Sequence, residues 1–347
     1  MVALQKRALA AVRKPRVDDR PLWDVIFGIW GYPAVLVAHE LKFFEMLAEK
    51  PLTLDEVCAV RQIEGRPAHA ILAVCTSLGL VALRKGSYRL TPLSREYLLP
   101  SSAYYVGWRF DQMRLIMTVW SPDSLREAVL TNRPQGVFSD PAGVFAAWHG
   151  EHALAFTRAM HTASIAPAMM WPRKLDLSHN RVMLDIGGGS GAHSIGAVSI
   201  HPKLKAIIMD QPPVCAIARE FAQSYGVADR ISTHGADFFK DPFPSADLHF
   251  YGLIFHDWPP DQNRLFAAKS FESLPSGGRI VIHEMLFNDD RCGPFPVAAY
   301  NINMLLGMPG QQYSGRELRS MLSEAGFRRV EVKPTFGYWS IVTGVKP

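Results

Sequence analysis

Apolar and polar positions change rhythm about half-way along the chain. In the first half, apolar residues recur at helical spacing. Leu22, Trp23, Ile26, Phe27, Ile29 and Trp30 form one such series, continued over residues 34–47 after a break expected at Tyr32-Pro33. Thr53 followed by Glu56 is a capping-box signature for a short helix. Residues 66–80 read as a further helix ended by Gly79. The extended runs 80–83 and 88–90, around Lys85-Gly86-Ser87, read as a hairpin. Helical spacing returns over 104–171, broken at Ser121-Pro122 and over 131–142. From Val182 onward the blocks shorten. Apolar runs begin at 182 and cover 204–209, 230–233, 247–255 and 279–283, separated by helix-compatible stretches. That alternation predicts an α/β fold with a parallel sheet. Residues 328–332 and 338–345 are the last two strands. Residues 334–337 join them as a hairpin, so the final strand is expected to run antiparallel.

The first hundred residues therefore follow the order helix, helix, helix, hairpin, which is that of a winged helix. Such a domain can bind DNA. The segment after Arg66 is almost uncharged, whereas a groove-reading helix offers Arg, Lys, Asn or Gln to bases and phosphates. Packing against protein, as in a homodimer, is the better use of this domain and of the Trp-rich segment before it. The expected division is a winged-helix-like dimerisation domain over 1–104, a helical linker contributing to the pocket over 105–172, and a ligand-binding domain over 173–347.

Composition changes this picture little. The chain has 347 residues, 48% hydrophobic and 20% charged, with a net charge of +5. Those values suit a globular enzyme and are not by themselves a nucleic-acid signature. Lys6, Arg7, Arg13, Lys14 and Arg16 precede the first acid, Asp18, and read as a solvated arm or a targeting segment. No apolar stretch is expected to reach the ~18 residues of a membrane span. Cys58, Cys75, Cys215 and Cys292 are scattered and read as reduced thiols of a cytoplasmic protein. The aromatics and methionines of 104–171 (Phe138, Phe145, Trp148 and Phe156 among them) are expected in the core, with a fraction lining a pocket. His149, His152 and His161 lie there too. No carboxylate or cysteine completes a metal set around them, so no metal is expected.

The chemistry centres on residues 182–191, Val-Met-Leu-Asp-Ile-Gly-Gly-Gly-Ser-Gly. This is the grammar of a strand, a glycine loop and a helix whose N-terminus receives a ligand. A dinucleotide loop reads G-x-G-x-x-G and needs no acid ahead of its first glycine. Asp185, two residues before Gly187, suits a cationic amine better than a pyrophosphate. The alternative is a buried strand with a flexible turn. Asp210 ends the next strand, 25 residues after Asp185 and near the ~20-residue spacing to a ribose-binding acid. Asp237 can accept from an adenine amine and Phe238 offers a stacking face. The bland readings are a cap and a core ring. His256 follows the fourth strand, where function in parallel sheets collects, and can take a proton from a phenol. Glu284, after the fifth strand, can orient His256 and favour its charged form, while His283 should face the other side of the sheet.

Together these stretches resemble small-molecule O-methyltransferases dependent on S-adenosylmethionine (SAM), the family that includes plant caffeic acid and isoflavone enzymes and bacterial antibiotic enzymes. The matching segments are Leu184-Asp-Ile-Gly-Gly-Gly-Ser-Gly191, Asp210-Gln-Pro-Pro213, Gly235-Ala-Asp-Phe-Phe239, His256-Asp-Trp258 and Phe156-Thr-Arg-Ala-Met160. The resemblance implies a Rossmann-like class I methyltransferase domain with a seven-stranded sheet, a homodimer, and no nucleic-acid or membrane partner. It implies that Asp185, Gly187, Gly188, Gly189, Asp210, Gln211, Asp237 and Phe238 hold SAM, leaving S-adenosylhomocysteine as product. It implies His256 as general base supported by Glu284 and Gln312, with Phe156, Met160, Trp258, Asn303 and Met304 along the substrate pocket. Two positions depart from the family pattern. Gly252 stands where a basic residue is common, and Gln312 where plant members carry Glu. Carbon methylation and a non-catalytic SAM-binding regulator are the alternatives to hydroxyl methylation.

Overall fold

A computed structural model describes residues 16–135 and 150–347. The basic positions from Lys6 to Lys14, together with Phe138, Phe145, Trp148 and His149, lie outside the described residues, as does the side chain of His152. The chain divides into two compact units, Met1–Leu99 and Pro100–Pro347.

The first unit contains α1 (Arg20–Gly28), α2 (Gly31–Glu40), α3 (Phe43–Glu49), α4 (Leu54–Arg61), α5 (Gly65–Ser77), the hairpin β1 (Val81–Arg84) and β2 (Ser87–Leu90), and α6 (Pro92–Tyr97). The capping box at α4 forms as expected: Glu56 N–H donates to Thr53 Oγ1 and Thr53 N–H to Glu56 Oε2, at 3.3 and 2.7 Å. The hairpin turn is shorter than expected. Only Lys85 and Gly86 are unpaired, both at positive φ, which matches the right-handed twist of the strands. Leu52 pairs with Tyr88 through two backbone hydrogen bonds and widens the wing. Ala68, Leu72 and Cys75 turn the apolar side of α5 into the core with Phe43, Phe44 and Leu47.

The helical break expected at Tyr32-Pro33 is corrected. The chain breaks at Ile29–Trp30, and Pro33 sits in the first turn of α2, where a missing N–H costs no hydrogen bond. Across that break, residues Arg20–Glu40 form a helical stretch long and apolar enough to cross a membrane by length and composition alone, and only 11% of its apolar 18-residue window is buried. The expectation that no stretch reaches that length is corrected to this extent.

The second unit opens with α7 (Gly107–Val119), α8 (Pro122–Thr131) and α9 (Gly150–Ala168). Then come β3 (Val182–Ile186), α10 (Ala192–Ile200), β4 (Lys205–Asp210), α11 (Pro212–Ser224), β5 (Ile231–Gly235), β6 (Leu248–Gly252), α12 (Pro260–Ser273), β7 (Arg279–Met285), α13 (Phe295–Gly307), α14 (Gly315–Glu324), β8 (Arg328–Phe336) and β9 (Trp339–Val345). The seven strands are ordered β5-β4-β3-β6-β7-β9-β8. Every pair is parallel except those made by β9, so the antiparallel strand stands where it was expected. The order reverses between β3 and its neighbours β4 and β6, the place where open α/β sheets leave a crevice. Each face of the sheet carries its own core. One is built around Leu184, Tyr251, Phe255 and Ile282, the other around Trp171, Met183, Phe250 and Val281. The alternation of Leu184 and Met183 along β3 assigns them to opposite faces.

Two boundaries differ from expectation. Strand β6 stops at Gly252, three residues early, because Leu253 takes φ +57 and the chain leaves the sheet for a 3-10 turn over Phe255–Asp257. Strand β8 runs on through Pro334 to Phe336. It is an edge strand, where a residue without an N–H is tolerated, and Gly337 at φ +54 makes the turn.

Candidate active site

The glycine loop after β3 is tied to β4 by Gly187 N–H donating to Met209 O at 2.8 Å. Gly187 has φ +66, and a Cβ there would lie 2.4 Å from Ile254 Cδ1, so only glycine lets the loop close against the turn after β6. Gly189 N–H donates to Asp210 Oδ2 at 2.8 Å and Gln211 N–H to Asp210 Oδ1 at 2.7 Å. Each oxygen keeps a second lone pair for a ligand hydroxyl. Asp237 is more exposed. Its Oδ1 accepts from Phe239 N–H at 2.9 Å and its Oδ2 pairs with Lys240 at 2.9 Å, so the capping role is real and one carboxylate serves both it and the cavity wall. Phe238 stacks on Phe239 with centroids 4.8 Å apart.

These residues border a cavity of about 720 Å³. Gly187, Gly188, Gly189, Asp210, Gln211, Asp237 and Phe238 all line it. Asp185 does not. It is 1% exposed, lies under Gly188, and accepts from Ser194 Oγ at 2.7 Å through Oδ2. Burial pushes its carboxyl up to about 7. The sequence argument put this acid beside a ligand ammonium. The structure puts it one layer deeper, as an anchor between the glycine loop and α10. Phe156, Met160, Trp258, Asn303 and Met304 line the same cavity, supplied by α9, the turn after β6, and α13.

His256 lies on the cavity wall, 3% exposed. Glu284, at the end of β7, holds it twice over. Glu284 Oε1 accepts the backbone N–H groups of Ile254 and His256 at 3.1 and 3.4 Å, and Oε2 stands 3.1 Å from His256 Nδ1. His256 Nε2 stands 3.3 Å from Asp257 Oδ1. Burial alone pushes the imidazole down, but the charges of Glu284 and Asp257 outweigh it and lift His256 to about 9. Glu284 and Gln312 sit behind the ring. The Gln312 amide lies 3.1 Å from Nδ1, and its backbone N–H donates to Asn301 Oδ1 at 2.8 Å. When Nδ1–H donates to Glu284, hydrogen-bond logic turns the amide oxygen, not its NH₂, toward the ring. His283 faces away, as the period of two requires, and meets Thr335 Oγ1 at 2.8 Å.

Gly252 now has a physical reason. A Cβ there would fall 2.5 Å from His193 Cδ2, because the His193 ring, on α10, takes up the space beside it. His193 is 5% exposed, and burial pushes it down to about 3. His161 is also placed: Nδ1 lies 2.8 Å from Ser190 Oγ and Nε2 3.0 Å from the Tyr225 hydroxyl. It braces the glycine loop from α9. Among the described residues, no group of three or more His, Cys, Asp or Glu could hold a metal.

Sequence reasoning missed Arg109, Tyr300, His193 and Asn263. Asn263 clamps the turn by donating to Phe255 O and Trp258 O at 2.8 and 3.1 Å. Arg109 left one signal, a cation inside an aromatic and methionine-rich helix.

The O-methyltransferase domain family matches residues 122–328, and the O-methyltransferase dimerisation domain matches residues 23–100. The chain belongs to the O-methyltransferase family. It is 36% identical to the 3-hydroxy-5-methyl-1-naphthoate 3-O-methyltransferase of Streptomyces sahachiroi, over 94% of each chain. It is 30% identical to the tetracenomycin polyketide synthesis 8-O-methyl transferase TcmO of Streptomyces glaucescens, over 96% of this chain and 99% of that one. The crystal structure of human N-acetylserotonin methyltransferase in complex with SAM superposes with a TM-score of 0.81 at 29% identity, covering 96% and 99% of the two chains. The protein is a SAM-dependent O-methyltransferase, and its acceptor is a small-molecule hydroxyl. The cavity fits that cofactor. The Gly187 approach, the half-free lone pairs of Asp210 and the Phe238 ring follow one another along one wall.

Proposed function

We propose that this O-methyltransferase methylates an aromatic hydroxyl with His256 as general base. The observation that carries the reading is the ring of His256 held on the cavity wall, with its Nδ1 edge turned to Glu284 Oε2 at 3.1 Å and to the Gln312 amide at 3.1 Å. That leaves Nε2 as the proton-accepting atom. Bound SAM supplies an electrophilic methyl group. Asp210 would hold its ribose, Asp237 and Phe238 its adenine, and the glycine loop its methionine part. His256 removes the acceptor's hydroxyl proton at Nε2, and Glu284 stabilises the imidazolium that results. Gln312 adds no charge and fixes the ring through the Nδ1 side. Met160, Phe156, Trp258, Asn303 and Met304 orient the acceptor ring, and orientation supplies most of the acceleration in a displacement of this kind. The naphthoate-modifying and polyketide-modifying relatives favour a fused aromatic acceptor.

The protein acts as a homodimer in this reading. Helix α1 has no buried residue, and Ile26, Phe27, Ile29 and Trp30 are each more than half exposed, within the stretch matched by the dimerisation domain. A second copy is their natural cover.

Methyl-labelled SAM and a panel of phenols and naphthols test the reaction. A labelled methyl ether supports it. A labelled carbon–carbon bond replaces it with ring methylation, and SAM binding without transfer to any acceptor replaces it with a non-catalytic role.

A further inference from the structure

Arg109 is the cation on the cavity wall for which the reaction above gives no use. It lies on α7, half-buried, and its Nη1 donates to Gln112 Oε1 and approaches Met160 Sδ at 3.9 Å. Its charge also reaches the Tyr300 hydroxyl and His256. None of these partners is anionic.

Every other charge on the wall is matched. Lys240 pairs with Asp237 at 2.9 Å. Asp210 takes two backbone N–H groups, and Asp257 faces His256 at 3.3 Å. Among the described residues, no carboxylate pairs with Arg109. The cavity it borders is otherwise walled here by Met160, and elsewhere by Ile116, Trp120, Phe156 and Met304, a mainly apolar lining. A guanidinium held half out of water against such a wall, with several of its five donors uncommitted, is a recognition site for a planar anion.

We propose that Arg109 selects the acceptor by binding a carboxylate on it, so that the substrate is a hydroxyaryl carboxylic acid rather than a neutral phenol. The inference rests on the cavity being the acceptor site of the methyl transfer. The carboxylate is desolvated in the cavity and needs a paired, hydrogen-bonded partner, which Arg109 provides in fork geometry. A neutral acceptor leaves the guanidinium's free donors facing an ester or a hydrocarbon. The two substituents on the ring then have different roles: the hydroxyl that His256 deprotonates is methylated, and the carboxylate held at Arg109 sets which ring position that is.

Binding to the enzyme saturated with S-adenosylhomocysteine tests this without requiring turnover. The probes are hydroxybenzoates and hydroxynaphthoates, each beside its methyl ester. The wild-type enzyme is expected to bind the preferred acid about 10- to 100-fold more tightly than its ester, as befits a charged hydrogen-bonded pair. Arg109→Met should lower the acid's affinity to that of the ester, and Arg109→Lys should restore part of the difference, since it returns charge without the fork. Esters that bind as well as acids across the panel would overturn the proposal. So would an Arg109→Met variant that, with its melting temperature unchanged, weakens acid and ester equally, the result expected if the arginine only shapes the wall or binds the ionised hydroxyl. Acid-selective binding with no methylated product would sink the methyl-transfer reading and leave Arg109 as the anion site. Methyl transfer without acid preference would do the reverse.

Discussion

Nδ1 of His256 stands 3.1 Å from Oε2 of Glu284, and the other oxygen of the same carboxylate holds the backbone on both sides of Phe255. One side chain thus sets the path of the turn and the charge of the ring. Neutral imidazole is the form that accepts a proton, so kcat/KM is expected to rise with pH through about 9 in the wild type. Glu284→Gln removes the main lifting charge and leaves burial and Arg109, which push the ring down, opposed by Asp257 alone. Its rising limb should move at least about one pH unit lower, a change worth ~1.4 kcal/mol, with a reduced plateau. The sign for stability follows from the same shift. The folded-state value lies above the usual one near 6.5, so the pair's contribution is complete below that pH and disappears as pH rises through about 9. The variant's stability deficit should therefore be largest near pH 6 and shrink in alkaline buffer. A pH–rate profile that does not move in Glu284→Gln would remove the carboxylate from the mechanism.

His256→Ala tests the base itself. Loss of a positioned general base costs roughly 10²- to 10⁴-fold in turnover. SAM affinity, measured by calorimetry, should stay close to wild type, because the cofactor candidates lie on the glycine-loop side of the cavity. Undiminished turnover would transfer the proton to another acceptor, with Asp257 the first to examine.

At Asp210 the backbone and the cavity share one carboxylate. Asp210→Ala should weaken S-adenosylhomocysteine binding by roughly 10- to 100-fold, since hydrogen bonds to a charged group and the loop's own anchor are lost together. At saturating SAM, kcat should recover more than KM. A variant with unchanged cofactor affinity would show that Asp210 serves the loop alone.

The Gly252 and His193 pair makes a stability prediction independent of catalysis. A methyl group at 252 would sit 2.5 Å from the His193 ring. Gly252→Ala is expected to cost about 1–3 kcal/mol in chemical denaturation, the usual range for overpacking a close contact. Adding His193→Ala should return most of that loss, and the coupling energy of the cycle measures the contact. Simple additivity of the two substitutions would mean that the ring moves aside freely.

Much of this site could be read from the chain because its key residues sit at strand ends. Val182–Ile186, Lys205–Asp210 and Arg279–Met285 are short apolar runs whose C-terminal residues must gather at one edge of a parallel sheet. Asp210, His256 and Glu284 could therefore be proposed together although up to 74 positions separate them. Asp185 was misjudged because sequence order says how far along the strand a residue lies but not how deep it is buried. Only the position of Gly188 above it and Ser194 beside it makes it an anchor. The end of β6 was misplaced for a similar reason. Residues 253–255 are apolar enough to continue a strand, and it is the distant Glu284 carboxylate that draws the chain out of the sheet.

The sequence by itself determined the alternation of strands and helices, the antiparallel last strand and the glycine loop, because these depend on local periodicity and on residues with restricted backbone choices. It also named part of the cavity wall. Tertiary structure alone decided what each charge faces. Whether an imidazole is held charged, whether an acid anchors a loop or meets a ligand, and whether an arginine lacks an anionic partner all depend on neighbours brought from remote segments. Arg109, on a helix whose pattern reads only as core, owes its meaning entirely to that enclosure. Burial removes the water that would otherwise screen such charges, and burial is a property of the packed chain.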